Sequence, residues 1–302
     1  MIHAFKQQLK CPADELTILE QEPMSRHTSF RIGGPADLLV SPHSEHALCC
    51  AADAAKQAGL PLTVLGNGSN VLVKDEGIRG VVLCIGSEFA QVQADGCCIA
   101  AQAGALLSVI SKEACRAGLT GLEFAGGIPG SLGGALFMNA GAYDGQMANI
   151  VASTRYYDTG SGTIGELVGE AHAFGYRTSA FRTHAEWIAL TATMRLTEGD
   201  PESIRAKMED FAQRRRDKQP LNFPSAGSTF KRPTGYFAGK LIQDAGLMGC
   251  TIGGAQVSEK HAGFVINRGD ATCADVLALI RHVQDEVKKQ FGVELEPEVR
   301  VL

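Results

Sequence analysis

Residues 123–143 read EFAGGIPGSLGGALFMNAGAY. Six of these positions are glycine, and four more are alanine. The stretch therefore brings little side chain to a core, and its glycines cost backbone entropy on folding. What it offers instead is exposed backbone N–H groups, which form concave cradles for anions when turns or helix N-termini aim them together. A second loop, GNGSN at 66–70, follows the apolar run LPLTVL and makes the same offer. Two cradles in one region suit a pyrophosphate, and hence a dinucleotide. The plainer reading is that these glycines serve turns and close packing alone. GNGSN begins like G-x-G-x-x-G, but Val71 stands at the closing position, and no G-x-x-x-x-G-K-[ST] occurs.

Outward from these loops, residues 37–64 read as a β-α-β unit. DLLV is a strand, Ser44 caps an alanine-rich helix that Gly59 closes, and LPLTVLG is the next strand. VLVKD, GVVLCIG and CCIAAQAGA follow as strands and LLSVISKEACRAG as a helix. From 151 to 197 short apolar runs between glycine turns predict an antiparallel sheet. A boundary falls at 198–201, where Asp200 can cap a helix with Pro201 in its first position. Ile204, Met208 and Phe211 recur at helical spacing in that helix, and the run Arg214–Arg216 reads as its exposed end. FAGKLIQDAGLMG predicts another helix. The last helix carries Val276, Ile280, Val283, Val287 and Phe291 on one stripe. The closing segment alternates: Val293, Leu295, Val299 and Val301 face one way, and Glu294, Glu296, Glu298 and Arg300 the other. The pattern is α+β or mixed α/β with two or three subdomains.

The chain has 302 residues, 45% of them apolar, which supports a sizeable core. Its 28 basic and 33 acidic residues leave a net charge of −5, so neither a nucleic acid nor a membrane surface is an expected partner. No apolar run reaches the roughly 18 residues of a membrane span. The N-terminus shows no signal-peptide pattern, and the protein is expected in the cytoplasm. Nine cysteines with no C-x-x-C read as reduced, buried thiols. His43 and His46 are a surface pair, and no metal site is expected.

A third segment, PSAGSTFKRP at 224–233, holds Ser225, Ser228, Lys231 and Arg232 between prolines. Ser228 and Lys231 spell S-x-x-K, the acylating pair of another enzyme class. The S-D-N and K-T-G partners of that class are missing, so the spelling carries no weight. A turn serine is the bland alternative.

Seven segments, in order, resemble the motifs of the UDP-N-acetylenolpyruvoylglucosamine reductase family. They are GNGSN, EFAGGIPGSLGGALFMNAGAY, GYRTSAFR, PSAGSTFKRP, AGKLIQDAGLMG, QVSEKHAGFVIN and LEPEVR. The resemblance covers about residues 20–302, and the uninterrupted GYRTSAF resembles the compact second type. That type lacks an extra loop and its substrate-covering tyrosine, so no tyrosine is given that role. The resemblance implies a vanillyl-alcohol-oxidase-type FAD-binding domain over 1–199, in two α+β subdomains of about 20–84 and 85–199. A smaller α+β substrate domain would then cover 200–302. FAD contacts would fall on Gly66, Asn67, Gly68, Ser69 and Asn70. Further FAD contacts would fall on Gly126, Gly127, Ile128, Pro129, Gly130, Ser131, Gly133, Gly134, Asn139, Ala140 and Gly141.

The resemblance also implies the chemistry. NADPH delivers a hydride to flavin N5, and reduced N5 passes it to the vinyl carbon C3 of UDP-N-acetylglucosamine enolpyruvate. Ser228 matches the family's donor of the proton to C2, which yields UDP-N-acetylmuramate for peptidoglycan synthesis. Glu298 matches the acid beside C2, and Arg177 the arginine on the carboxylate side. Lys231, Arg232 and Lys240 are candidate contacts for the diphosphate or carboxylate; the alternative is ordinary solvated cations. The expected partners are these small molecules, with the protein a monomer. A different oxidase of the same flavin fold would explain the glycine loops but not Ser228, Arg177 and Glu298 together. A non-catalytic nucleotide-binding module would leave the C-terminal motifs unexplained.

Overall fold

The structure, a computed structural model, describes residues 2–302. It has two compact units. One takes the chain up to Glu20, Leu38–Asn67 and Gly80–Arg215; the other takes Gln21–Asp37, Gly68–Arg79 and Arg216–Leu302. Among the described residues no helix is long and apolar enough to cross a membrane.

In the first unit Ser44 accepts a hydrogen bond from Ala47 N and starts the helix Glu45–Gln57, as the sequence predicts. Its buried face is mostly alanine: Ala47, Ala51, Ala52, Ala54 and Ala55. Side chains this small bring the helix axis close to the strands beneath. Strand Leu62–Leu65 runs parallel to Ile78–Cys84, in a sheet of order Leu16–Pro23, Pro35–Pro42, Ile78–Cys84, Leu62–Leu65. The predicted antiparallel sheet is present with five strands, in the order Thr163–Val168, Val151–Asp158, Trp187–Arg195, Cys98–Gln102, Val92–Asp95. Leu48, Leu83, Ile99, Leu107, Ile110, Leu190 and Met194 are fully buried in the core between these elements. Truncating any one of the leucines to alanine leaves a cavity worth about 2–5 kcal/mol.

The second unit is built from both ends of the chain. Its helix Cys273–Phe291 opens with a capping box between Thr272 and Asp275. Asp75 adds a second cap, accepting from Cys273 N at 2.8 Å and Ala274 N at 3.1 Å. Strand Arg300–Val301 pairs in parallel with Val71–Leu72. Phe30, Ile32 and Leu72 join Val276, Leu279, Ile280, Val283 and Val287 in one core.

Several expectations change at this level. Asp200 does cap the helix Pro201–Lys218, accepting from Ser203 N at 2.9 Å. One division between the two compact units falls at 215/216, inside that helix. VLVKD is a strand only at 71–72. The closing strand shrinks to 300–301, and the segment before it makes only an isolated antiparallel bridge, Pro297 with Phe230. Val301 is 42% exposed, off the buried side. Phe291 is 38% exposed, because Gly292 ends the helix in a left-handed turn (φ +69) just past it. All nine cysteines are free as expected, but only Cys115 and Cys273 are buried.

The stretch 123–143 is anchored at its first residue. The Glu123 carboxylate is 4% exposed, accepts from Thr120 Oγ1 at 2.5 Å and Gly121 N at 2.8 Å, and lies 3.7 Å from Lys207 Nζ. Burial alone would raise this carboxyl, but the bonds from Thr120 and the backbone outweigh it and hold it below its ordinary value of 4.5. Its stabilising contribution is therefore complete above pH 4.5 and is lost as pH falls through the depressed value. Glu123→Ala removes two buried hydrogen bonds and should lower the unfolding free energy by about 2–3 kcal/mol at pH 7. In urea titrations this deficit should shrink below pH 4; a deficit independent of pH would show that the carboxylate charge is not what anchors the loop.

Candidate active site

In the first unit the two glycine loops meet. A Cβ on Gly66 would lie 2.3 Å from Ser131 Oγ, so only glycine fits there. Asn67 Nδ2 donates to Pro129 O at 2.6 Å, and Leu107 N donates to Gly130 O at 3.0 Å. Ser131 stands at the N-cap of the helix Leu132–Met138 but makes no capping bond. It is 2% exposed, and its hydroxyl has no hydrogen-bond partner among the described residues. An orphaned buried hydroxyl costs about 1–3 kcal/mol. A phosphate oxygen placed against Gly66 and Ser131 would satisfy it, so the residues present fit a dinucleotide diphosphate.

Other members of the stretch serve packing. A Cβ at Gly126 would lie 3.2 Å from Ser111 Oγ, and one at Gly133 would lie 3.3 Å from Ala103 Cβ. Asn139 is engaged internally. Its Nδ2 donates to Gly175 O at 2.9 Å and Gln146 Oε1 at 3.2 Å, while its Oδ1 accepts from Ala148 N at 2.9 Å. Ala140 and Gly141 lead into the small hairpin Gly141–Ala142 with Gly145–Gln146. The side chain of Asn139 thus holds the turn 175–178, and Ser179 Oγ ties the same turn to Phe137 O at 3.0 Å.

That turn carries Arg177. Its backbone is left-handed (φ +55), a conformation that costs a non-glycine residue about 1 kcal/mol or more. Gly175 N donates to Thr178 O, and Arg182 Nη1 donates to Arg177 O at 2.8 Å, which together hold the strained residue in place. The guanidinium lies 5.1 Å from the centre of the Tyr176 ring. The structure thus brings Arg177 to the stretch 123–143, which sequence distance alone does not suggest.

Arg215 was read as part of an exposed helix end, and it is not. Arg214 and Arg216 are exposed, but Arg215 is half-buried with its Cδ 3.3 Å from the Cβ position of Gly127. Burial pulls its guanidinium pKa down, against Tyr143 beside it. The signal was present in the sequence: Met208, Phe211 and Arg215 follow each other at helical spacing, so Arg215 continues the apolar stripe.

In the second unit the segment 224–231 is held on both edges. Asn267 N donates to Pro224 O at 2.9 Å, Thr229 N to Gly263 O at 2.8 Å, and Val265 N to Thr229 Oγ1 at 3.0 Å. On the other edge Glu298 N donates to Thr229 O and Lys231 N to Glu296 O, both at 2.8 Å. Ala226, Thr229 and Phe230 are buried, whereas Ser228 is exposed and its hydroxyl makes no hydrogen bond among the described residues. Gly227 has φ +77, with nothing within 4 Å of where its Cβ would sit, so the space beside Ser228 is open. Ser228 is therefore not a capping serine of its own turn.

Glu298 is half-buried on the segment paired to Thr229. Asn70 Nδ2 donates to Glu298 O at 3.2 Å, and Arg300 N donates to Asn70 O at 3.0 Å. The structure thus brings Ser228, Glu298 and Asn70 together. The candidate cations differ in their surroundings. Lys231 is 17% exposed and paired with Glu296; Lys240 is paired with Asp244; Arg232 stacks 3.9 Å over the Phe237 ring. His261, which the sequence reading left without a role, is half-buried and accepts from Gly263 N at 3.0 Å; burial pushes its pKa down.

Comparison with known proteins agrees with this geometry. A family profile described as an FAD binding domain matches residues 36–167. A second, described as the C-terminal domain of UDP-N-acetylenolpyruvoylglucosamine reductase, matches 219–302. The reductase of that name from Clostridium perfringens (strain SM101 / Type A) is 51% identical over 96% of this chain and 94% of its own length. The one from Clostridioides difficile (strain 630) is 53% identical over 93% of this chain and 92% of its own. The crystal structure of UDP-N-acetylenolpyruvylglucosamine reductase from Thermus caldophilus superposes with a TM-score of 0.80 at 34% identity, covering 95% of this chain and 98% of that one. The architecture is α+β, an FAD-binding domain followed by a smaller C-terminal domain. On this identity and coverage, the chain belongs to the UDP-N-acetylenolpyruvoylglucosamine reductase family.

Proposed function

We propose that this protein, an FAD-dependent oxidoreductase of that family, reduces UDP-N-acetylglucosamine enolpyruvate to UDP-N-acetylmuramate, with NADPH as hydride donor and Ser228 as proton donor. When bound, FAD supplies the two-electron chemistry that links NADPH to the vinyl carbon C3. The chain's own residues do the rest.

Gly66, Ser131 and the backbone around 126–130 hold the diphosphate of the cofactor, where the buried Ser131 hydroxyl finds its missing acceptor. Arg177 sets a fixed positive charge against the carboxylate of the enolpyruvyl group, where negative charge grows as hydride arrives at C3. Its strained turn fits that task, since backbone strain gathers at functional sites. Ser228 gives the proton to C2. A serine hydroxyl is a weak acid, but the carbanion-like carbon is a far stronger base, so the transfer runs downhill once the geometry is set. Glu298 holds the proton inventory beside Ser228 and restores the hydroxyl. Lys231, Arg232 and Lys240 supply positive potential for the UDP diphosphate. In this reading residues 1–199 hold the cofactor and 200–302 present the proton donor. The two soluble nucleotide substrates fit a cytoplasmic monomer.

The observation that carries the reading is the state of Ser228. Its hydroxyl is exposed and unbonded next to an open glycine position, and its neighbour Thr229 is bonded to Glu298 N. Nothing in local turn structure employs it.

Anaerobic stopped-flow absorbance separates the two half-reactions. Ser228→Ala should leave bleaching of the flavin by NADPH near normal and slow its reoxidation by the enolpyruvyl substrate by about 10²–10⁴-fold. Equal slowing of both steps would sink the proton-donor role. Glu298→Gln should slow the second half-reaction selectively; unchanged turnover would remove Glu298 from the mechanism. Ser131→Ala should weaken FAD binding by about tenfold to a hundredfold, the worth of one buried hydrogen bond to a charged group. Equilibrium dialysis showing the same affinity as the wild type would place the diphosphate elsewhere.

A further inference from the structure

The second unit carries two neighbouring aromatic side chains that its core does not take in. Phe237 is 62% exposed and Tyr236 47%, while Ala238, Leu241 and Ile242 just after them are buried. Two adjacent exposed rings with a polar rim form the kind of patch that takes a ligand. The rim here is cationic. A tight turn, closed by Tyr236 N donating to Pro233 O at 3.1 Å with Gly235 left-handed (φ +77), brings the chain back on itself. The Arg232 guanidinium then lies over one face of the Phe237 ring, 3.9 Å from its centre. Lys240 stands three residues past Phe237, on the first turn of the helix Ala238–Asp244, and its N–H donates to Phe237 O at 3.0 Å. Nothing among the described residues lies within 4 Å of where a Cβ on Gly235 would sit, so the space beside the loop is open.

We propose that Phe237 stacks the uracil ring of the nucleotide-sugar substrate, an inference that rests on the reductase reading above. The guanidinium of Arg232 backs one face of the phenyl ring, and the base lies on the other. Arg232 and Lys240 then flank the diphosphate that follows the ribose. Stacking reads the flat face of the base and leaves its edges to water.

The chain between the proton donor and this platform is extended. Thr229 N and Lys231 N donate to backbone carbonyls on either side, and Phe230 bridges to Pro297. Four residues of extended chain set the backbones of Ser228 and Arg232 at most about 14 Å apart. An extended UDP-sugar has the same order of length from the ether on the sugar to the base, so one end meets Ser228 when the other meets Phe237. The sequence of groups agrees too: sugar, diphosphate and base along the ligand, and Ser228, Lys231 with Arg232, and Phe237 along the chain. The guanidinium fixes the ring before the base arrives, so less rotamer freedom is lost on binding. A second pair of this kind, Arg268 over the Phe223 ring, is looser at 4.9 Å, and Phe223 is half-buried. NADPH also carries a diphosphate and a base, but Ser228 acts on the UDP substrate, and it is Ser228 that the platform adjoins.

The test uses the FAD-loaded full-length enzyme under anaerobic conditions. In Phe237→Ala the substrate concentration that half-saturates flavin reoxidation should rise about 5- to 150-fold, the worth of one stacked base, and the affinity for UDP alone should fall by the same factor in calorimetry. Phe237→Tyr should restore both. Since the ring is exposed, Phe237→Ala should melt with the wild type. N-acetylglucosamine enolpyruvate 1-phosphate, which lacks the uridine half, should reoxidise the wild type and Phe237→Ala equally. Bleaching by NADPH should keep its concentration dependence. Unchanged affinity for UDP in Phe237→Ala, a loss confined to NADPH, or a loss in Phe223→Ala in its place overturns the stacking role and leaves the reductase reading standing. A wild-type flavin that the UDP substrate does not reoxidise takes down that reading, and this inference with it.

Discussion

The backbone of one residue, Thr229, fixes the segment of the second unit that carries Ser228. Its N–H donates to Gly263 O and its carbonyl accepts from Glu298 N, each at 2.8 Å. Its hydroxyl accepts from Val265 N. Two chain segments far apart in sequence, 263–265 and 298, are fixed to it. Ser228 precedes it, and Glu298 is bonded to it. The serine's position is thus set by main-chain bonds, which do not depend on rotamers, and its hydroxyl is left free for other work. A buried threonine with every polar group satisfied makes a rigid post.

In the first unit the corresponding constraint is steric. Gly66 approaches Ser131 so closely that no side chain fits between them. That contact brings two loops to one place, and it buries a hydroxyl that has nothing to bond to. Asn139 does the complementary job. Its side chain bonds to Gln146 in the hairpin, to Ala148 and to Gly175 in the turn 175–178, and so sets the strained Arg177 beside the glycine stretch.

Much of this was legible from residues alone, and the limits have physical causes. The helix at Ser44 and the helix after Asp200 were readable because capping is local chemistry. Three strands of the antiparallel sheet, within 151–197, were readable from short apolar runs between glycine turns; that Cys98–Gln102 and Val92–Asp95 complete it was not. The ordered motifs identified the family and pointed to Ser228, Arg177 and Glu298. What sequence could not show is long-range: Asp75 capping a helix that starts at Cys273, or Val71 pairing with Arg300. The closing strand misled because the alternation runs across two segments with different partners, 296–298 on 229–231 and 300–301 on 71–72. The resemblance places Asn139 among the cofactor contacts, and its side chain bonds to Gly175, Gln146 and Ala148 within the fold. Arg215 was misjudged because three successive arginines suggest solvent, while the helix turns only one of them inward.

The second unit draws its core from Phe30 and Leu72 near one end of the chain and from Val276 to Val299 near the other. Lys74 N bonds to Leu302 O, the last residue. During synthesis, Leu72 and the unpaired strand 71–72 therefore emerge from the ribosome long before their partners exist. The first unit can close while translation continues, but the second must wait until residues 276–302 have emerged. The nascent protein thus passes through a stage in which the glycine loops of the first unit can form and Ser228 in the second has no fixed place.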